Sequence, residues 1–265
     1  MIEYPVVRSG LMDCAKVESF IVGWLRQMVA SAHSDGLLFG LSGGIDSAVV
    51  AALCKKAVGD SALALIMPCE SHPIDFEHAV LTAEAFDVKR HFVELTGTYR
   101  TMVAEMTRSG MKDPPRMASA NLKPRLRMAA LYFFANGMNY MVTGTGNRSE
   151  WYVGYSTKFG DGGVDVQPII GLLKSEVVEL AGHLGVPREI IEKPPTAGLW
   201  QGQTDEAEMG FTYEQLDRYI STRQAEPAVK ERIDRMHRAS RHKYMLPPTP
   251  FSPETGLPGV IPEGD

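Results

Sequence analysis

The sequence predicts an α/β fold, a Rossmann-like parallel sheet with helices on both faces. Two observations carry that expectation. Short apolar runs with strand character, at 36–42, 62–68, 90–95 and 139–145, alternate with longer stretches of helical periodicity. Two of those runs end in glycine-rich turns, at 40–47 and 144–150. In a parallel sheet such turns lie beyond the C-terminal strand ends, where ligands bind, so the two are candidates for one common site.

Val17, Phe20, Ile21, Trp24, Leu25, Met28 and Val29 recur at helical spacing, so the chain opens with an amphipathic helix. GLLFGLS (36–42) reads as a short buried strand, and DSAVVAALCKKAV (46–58) as a helix with Asp46 and Ser47 at its start. ALALIMP (62–68) is the second strand, 74–86 a helix, and RHFVEL (90–95) the third strand. A further helix and a Pro114-Pro115 break precede an apolar-striped helix at 117–136, and NYMVTGT (139–145) is the fourth strand. Residues 151–171 read as an irregular loop. A helix at 172–185 stops at Gly185-Val186-Pro187, and 194–212 form a second long polar loop. Helices at 213–222 and 227–241 follow, and the proline-rich residues 246–265 are expected to be extended. No internal repeat and no linker divides the chain, so residues 1–265 are expected to form a single domain.

The 265 residues are 44% hydrophobic and 22% charged, which suits a globular enzyme with a sizeable core. A net charge of -5 gives no global pull toward nucleic acid or an anionic membrane. No apolar run approaches the roughly 20 residues of a membrane span, and MIEYPVVRSG lacks the apolar core of a signal peptide. The spacings of Cys14, Cys54 and Cys69 match no zinc or redox motif and fit a reducing compartment. The expected location is the cytoplasm.

Ser42-Gly43-Gly44-Ile45-Asp46-Ser47 joins the first strand to a helix. Adjacent glycines let successive backbone N–H groups converge into an anion nest, and the helix N-terminus adds its positive dipole end. Ser42 and Ser47 can donate further hydrogen bonds. The implied ligand is a phosphate or pyrophosphate, and Asp46 makes sense there as a ligand to a magnesium ion bridging phosphates. The bland alternative is a tight turn with a capping Asp and Ser. The hexapeptide resembles the SGGxDS motif of the ATP pyrophosphatase (PP-loop) superfamily at every fixed position. It differs from a Walker A loop because no lysine follows the glycines. That resemblance implies an adenine nucleotide alpha hydrolase-like fold, cleavage between the α and β phosphates, and AMP transfer to a substrate oxygen.

Gly144-Thr145-Gly146-Asn147-Arg148-Ser149-Glu150 ends the fourth strand, and Glu150 offers a second carboxylate for the ion at Asp46. Taken alone it reads as a solvated loop glutamate. The stretch from Gly154 to Asp165, GYSTKFGDGGVD, is rich in glycine, charge and aromatics for a mere connector. GTGNRSE, GYSTKFGDGGVDVQPI, LLKSEVVELAGHLGVP, KPPTAGLWQGQTDE, NLKPRLRM and RHK together resemble the successive motifs of NAD synthetases, from about residue 15 to 245. One departure is Pro124, where the family usually has alanine, which puts the local backbone in question.

The resemblance implies an ammonia-dependent ligase that binds ATP and deamido-NAD (nicotinic acid adenine dinucleotide). Residues Gly40, Leu41, Ser42, Gly43, Gly44, Ile45, Asp46 and Ser47 would hold ATP phosphates, with Asp46 and Glu150 on Mg2+. Thr145, Lys174 and Thr196 would also contact ATP, and Lys174 would face the departing pyrophosphate. Arg125, Lys158, Asp165, His242 and Lys243 would bind deamido-NAD. Without the motif context, Lys174 reads as a solvated helix-end lysine, Asp165 as a loop cap and His242 as a surface histidine. The implied chemistry is a substrate adenylate followed by attack of ammonia, with release of AMP and pyrophosphate and with no protein nucleophile. The family resemblance also implies a homodimer. Glutamine-using relatives carry an added glutaminase domain, and with SGGIDS beginning at residue 42 free ammonia is the expected nitrogen source. Two rivals stand beside this reading. One is a tRNA-modifying relative using the basic stretch 230–243, which in an acidic chain reads rather as a solvated helix face. The other is a non-catalytic ATP sensor, which would have lost one of the two carboxylates.

Overall fold

Leu37, Leu38 and Phe39 are wholly buried, as a central strand covered on both faces requires of consecutive residues. In the structure, a computed structural model describing residues 12–250 except Leu199 and Gln201, they form β1 (Gly36–Gly40). It pairs in parallel with β2 (Ala62–Ile66) on one side and β4 (Tyr140–Thr143) on the other. β3 (Lys89–Phe92) pairs in parallel with β2, giving the order β3-β2-β1-β4. All four residues of edge strand β3 are exposed, and Lys89 and Arg90 supply the charge that discourages edge-to-edge pairing.

Alternation along the strands builds two cores. Leu37 and Phe39 of β1 pack with Ala62, Ala64 and Ile66 of β2 against α1 (Cys14–Ser31), α2 (Ile45–Val58) and α7 (Lys174–Leu184). Leu38, Leu63, Leu65 and Val142 face the other way, toward α4 (Thr96–Arg108) and α5 (Arg116–Met138). Helix α2 is buried almost continuously from Ile45 to Cys54, as befits a helix sandwiched between the sheet and other helices. α3 (Pro73–Ala85), with Pro73 at its first turn, links β2 to β3. A third apolar cluster, centred on Met209, Leu216 and Ile233, is built by α9 (Asp205–Met209), α10 (Tyr213–Thr222) and α11 (Pro227–Ser240).

The structure adds short helices where loops are expected. Residues 148–153 form α6 (Arg148–Val153), started by a reciprocal cap between Asn147 and Glu150. Helix α9 lies within the expected loop 194–212, and α8 (Arg188–Ile191) precedes that loop. Pro124 sits buried well inside α5, where it removes the bond to the Ala120 carbonyl without ending the helix. Residues 246–250 have no regular structure, and the rest of the proline-rich tail lies outside the described residues, as does the arm before residue 12. Among the described residues, no helix is long and apolar enough to cross a membrane.

Candidate active site

The turn after β1 has a geometry that only its own sequence permits. Gly43 has φ +77, and a Cβ there would stand 2.2 Å from the Asp75 carbonyl oxygen. Gly44 caps α2 in an extended conformation with no side-chain hydrogen bond, so first-turn N–H groups of α2 have no side-chain cap. That is the donor array an anion needs. Ser47 Oγ donates to the Gly44 carbonyl at 2.8 Å and accepts the Ser42 N–H at 3.2 Å. Its proton is therefore used to shape the loop, whereas the sequence suggested it for the ligand.

Asp46, in the first turn of α2, is held from both sides. Asn147 Nδ2 donates to Oδ1 at 2.9 Å, and Lys174 Nζ pairs with Oδ2. Lys174, the first residue of α7, is buried rather than solvated. Burial disfavours its charge, but Asp46 and Glu150 outweigh that and raise its pKa. Glu150 Oε2 accepts the Asn147 N–H at 3.1 Å, and no hydrogen bond from a described residue reaches Oε1. Burial and the charge of Asp46 push its carboxyl well above the usual glutamate range. A buried Glu150 with a spare oxygen, its ionisation opposed by the neighbouring Asp46 charge, makes with Asp46 a donor set that a divalent cation relieves. The residues present therefore fit magnesium.

The loop from Gly40 to Ser47, with Gly43 turned toward α3, shares one cavity of about 580 Å³ with Thr145, Glu150, Lys174 and Thr196. The two glycine-rich turns thus meet, as the parallel topology requires. Arg125, Lys158 and His242 do not line this cavity. They form a chain of their own beside it: Arg125 Nε donates to the Lys158 carbonyl at 3.3 Å, and Lys158 Nζ to the His242 carbonyl at 2.6 Å. Lys243 does line the cavity, with Nζ bonded to the carbonyls of Gly154 and Ser156 at 2.6 and 2.7 Å. Asp165 lies outside it. Its oxygens accept the Tyr132 hydroxyl at 2.8 Å and the Val142 N–H at 2.7 Å, which is the loop-capping alternative.

Several residues of the site have no role assigned to them in the sequence reading, although Arg127, Ser149, Lys193 and Asp205 lie within its motifs. Arg127, half-buried against the cavity, donates to the Met67 carbonyl at 3.0 Å and to Ser71 Oγ at 3.2 Å. Asp217 of α10 accepts the Ser149 hydroxyl and the Ser175 N–H, and Ser149 Oγ accepts the Lys174 N–H at 3.0 Å. This clamp fixes the residues flanking Glu150 and Lys174. Lys193 pairs with Asp75 beside the glycine loop, and Asp205 of α9 lines the cavity with one oxygen unbonded. Only the Asn147-x-x-Glu150 cap had a local signal, the spacing of a capping box.

A family model described as NAD synthase matches residues 17–247. A relative named NH(3)-dependent NAD(+) synthetase, from Carboxydothermus hydrogenoformans, is 49% identical over 87% of this chain and 95% of its own. Among solved structures, an NMN synthetase from Francisella tularensis has a TM-score of 0.85 and 38% identity, over 89% of this chain and 98% of that one. An NH3-dependent NAD synthetase from Campylobacter jejuni, in complex with the nitrate ion, has a TM-score of 0.76 and 27% identity, over 90% and 99%.

Proposed function

The chain belongs to the NAD synthase family, ligases that amidate deamido-NAD with ammonia at the expense of ATP, and we propose that it does so in the cavity between its two glycine-rich turns. The observation that carries this reading is the meeting of an uncapped helix N-terminus with Asp46, Glu150 and Lys174 in one cavity. ATP phosphates would lie on the nest from Gly40 to Ser47, with Thr145 and Thr196 against the nucleotide. Asp46 and Glu150 would hold Mg2+, which when bound would offset phosphate charge. Lys174, kept cationic by its carboxylate neighbours, would meet the negative charge that develops on the departing pyrophosphate. The nicotinate carboxylate attacks the α-phosphorus, pyrophosphate leaves, ammonia attacks the activated carbonyl carbon, and AMP leaves.

Arg125, Lys158, Asp165, His242 and Lys243 would serve deamido-NAD. Because the chain of Arg125, Lys158 and His242 lies beside the cavity, the dinucleotide would extend out of it. A homodimer would place a second copy near that exit. Support comes from apolar side chains left exposed on and near α5, with Phe133 78% exposed and Phe92 56% exposed. The 1–265 chain would act as one domain in the cytoplasm, where its unpaired cysteines stay reduced.

A second reading of the same cavity, that the product is NMN, draws on the Francisella tularensis neighbour. One experiment separates the two. Purified enzyme with ATP, magnesium and ammonium is offered deamido-NAD and nicotinate mononucleotide, alone and in competition. The first reading expects NAD, AMP and pyrophosphate, with deamido-NAD preferred. Preference for the mononucleotide would establish the second reading, and ADP with phosphate as products would exclude both.

A further inference from the structure

Asp205 is an anomaly in the cavity wall. It is 4% exposed, yet its Oδ1 accepts no hydrogen bond from any described residue. Its other oxygen accepts the Tyr213 hydroxyl at 3.0 Å. The Tyr155 hydroxyl and the Ala197 N–H lie near enough to favour its ionised form, but neither completes a bond to Oδ1. A carboxylate oxygen buried without a donor is costly, so the arrangement calls for a ligand that donates.

The neighbouring groups narrow the ligand. Tyr155 donates to Glu208 Oε2 at 2.8 Å and accepts from Gln203 Nε2 at 3.2 Å, which leaves its phenol oxygen one acceptor site. Tyr155, Gln203, Asp205 and Glu208 all line the cavity that holds the glycine loop. The charge of Asp205 reaches both Glu150 and Lys174, which puts it within range of the adenylating groups. A hard divalent ion needs about six oxygens. Among the described residues, no trio of His, Cys, Asp or Glu side chains is placed to hold a metal, so Asp205 does not join the Asp46 and Glu150 pair as a third ligand. A small cation made only of donors matches a buried carboxylate oxygen beside a free phenol acceptor site.

We propose that Asp205 Oδ1 and the Tyr155 hydroxyl oxygen form the ammonium subsite, which delivers the nitrogen substrate to the adenylate. The subsite rests on the amidation reading above and adds to it where the second substrate waits. The carboxylate supplies the charge that distinguishes ammonium from water, and the phenol oxygen takes a second N–H. Desolvation raises the Asp205 pKa, which also makes it a better proton acceptor than an exposed aspartate.

The test uses Asp205→Asn in the full chain and separates the two half-reactions. Quenched single turnovers with ammonium omitted, enzyme in excess over deamido-NAD, report pyrophosphate formation. Steady-state rates report the KM for ammonium. The expected result is pyrophosphate formation within about threefold of wild type, an ammonium KM raised at least about tenfold, and turnover with hydroxylamine, a nucleophile largely neutral at pH 8, reduced far less. An unchanged ammonium KM overturns the proposal, and so does a fall in pyrophosphate formation that matches the whole fall in turnover. If Asp205→Asn does not fold, Tyr155→Phe reads the same site: an ammonium KM raised at least about threefold supports it, and an unchanged one overturns it. A wild-type enzyme that forms no pyrophosphate with deamido-NAD but does with nicotinate mononucleotide refutes the dinucleotide reading alone, and the subsite is then tested with the mononucleotide.

Discussion

Gly43 and Gly44 are adjacent in one motif, and the structure gives them different jobs. Gly43 has φ +77, and a Cβ there would meet the Asp75 carbonyl oxygen at 2.2 Å. Gly44 has an ordinary extended backbone, and its Cβ would meet only Ser42 Oγ, at 3.4 Å. Gly43→Ala therefore incurs about 1–2 kcal/mol of left-handed strain and roughly 1–3 kcal/mol of overpacking, because the clashing atom is backbone. Asp75 also carries the Lys193 ion pair, so pushing it away loosens a second contact at the loop. For a chain of this size the sum lowers Tm by on the order of 10 °C. Gly44→Ala adds little strain but places a methyl group at the mouth of the nest. It should melt near wild type and weaken ATP binding. Differential scanning calorimetry gives the first quantity and titration calorimetry with ATP the second. If Gly43→Ala melts within about 2 °C of wild type, or if Gly44→Ala is the less stable of the two, the assignment of strain to Gly43 is wrong.

Four further outcomes follow from the same geometry. Asp46→Asn should lower turnover on the order of 10²–10³-fold while circular dichroism stays native, since it removes a charge contact at the reacting phosphates; near-normal turnover would count against the metal pair. Asp217→Asn should lower kcat on the order of tenfold with little change in the KM for ATP, because an amide keeps one acceptor oxygen for two donors, the Ser149 hydroxyl and the Ser175 N–H, and so loosens Lys174; an unchanged kcat would make the clamp merely structural. At fixed total ammonium the rate should climb with pH through the neutral range, because bound ammonium must lose a proton before its lone pair can attack, and ammonia-free glutamine should yield no NAD; robust NAD from glutamine sinks the ammonia assignment. Phe133→Glu should convert a dimer to a monomer by sedimentation velocity, given the exposure of that ring on α5; a dimer that persists would place the interface elsewhere.

What the sequence made legible was local or periodic. The strands, the long helices and the glycine loop are encoded in contiguous runs, so their order and the meeting of the two turns could be read directly. The supports of the site were not legible, because they are joined only in space. Lys174 reaches Asp46 across 128 residues, and Asp217 reaches Ser149 across 68. No run of sequence marks such a pairing. Asp165 shows the converse. A carboxylate in a glycine-rich loop suits a ligand or a cap, and only the positions of Tyr132 and Val142 show that each of its oxygens already accepts one bond, with a further lone pair on each. Helix α6 escaped because six residues are too few to show a period, although its cap was written in Asn147 and Glu150.

Glu150 joins fold to chemistry, and that determines which variant is informative. Its Oε2 closes the cap of α6 by accepting the Asn147 N–H, while Asn147 Oδ1 accepts the Glu150 N–H at 3.0 Å. The same Asn147 steadies Asp46 through Nδ2. Glu150→Ala removes the charge and the cap together, costs about 0.5–2 kcal/mol in helix-start stability, and frees Asn147 to turn away from Asp46. A dead alanine variant thus says nothing about charge. Glu150→Gln keeps a carbonyl oxygen that can accept the same N–H, so the cap and the aim of Asn147 persist while the charge is lost. The expected result is a Tm close to wild type with turnover down on the order of 10²–10³-fold, not restored by raising magnesium. A glutamine variant that is active and stable would mean that Glu150 is there to start α6, and that Asp46 carries the metal chemistry without it.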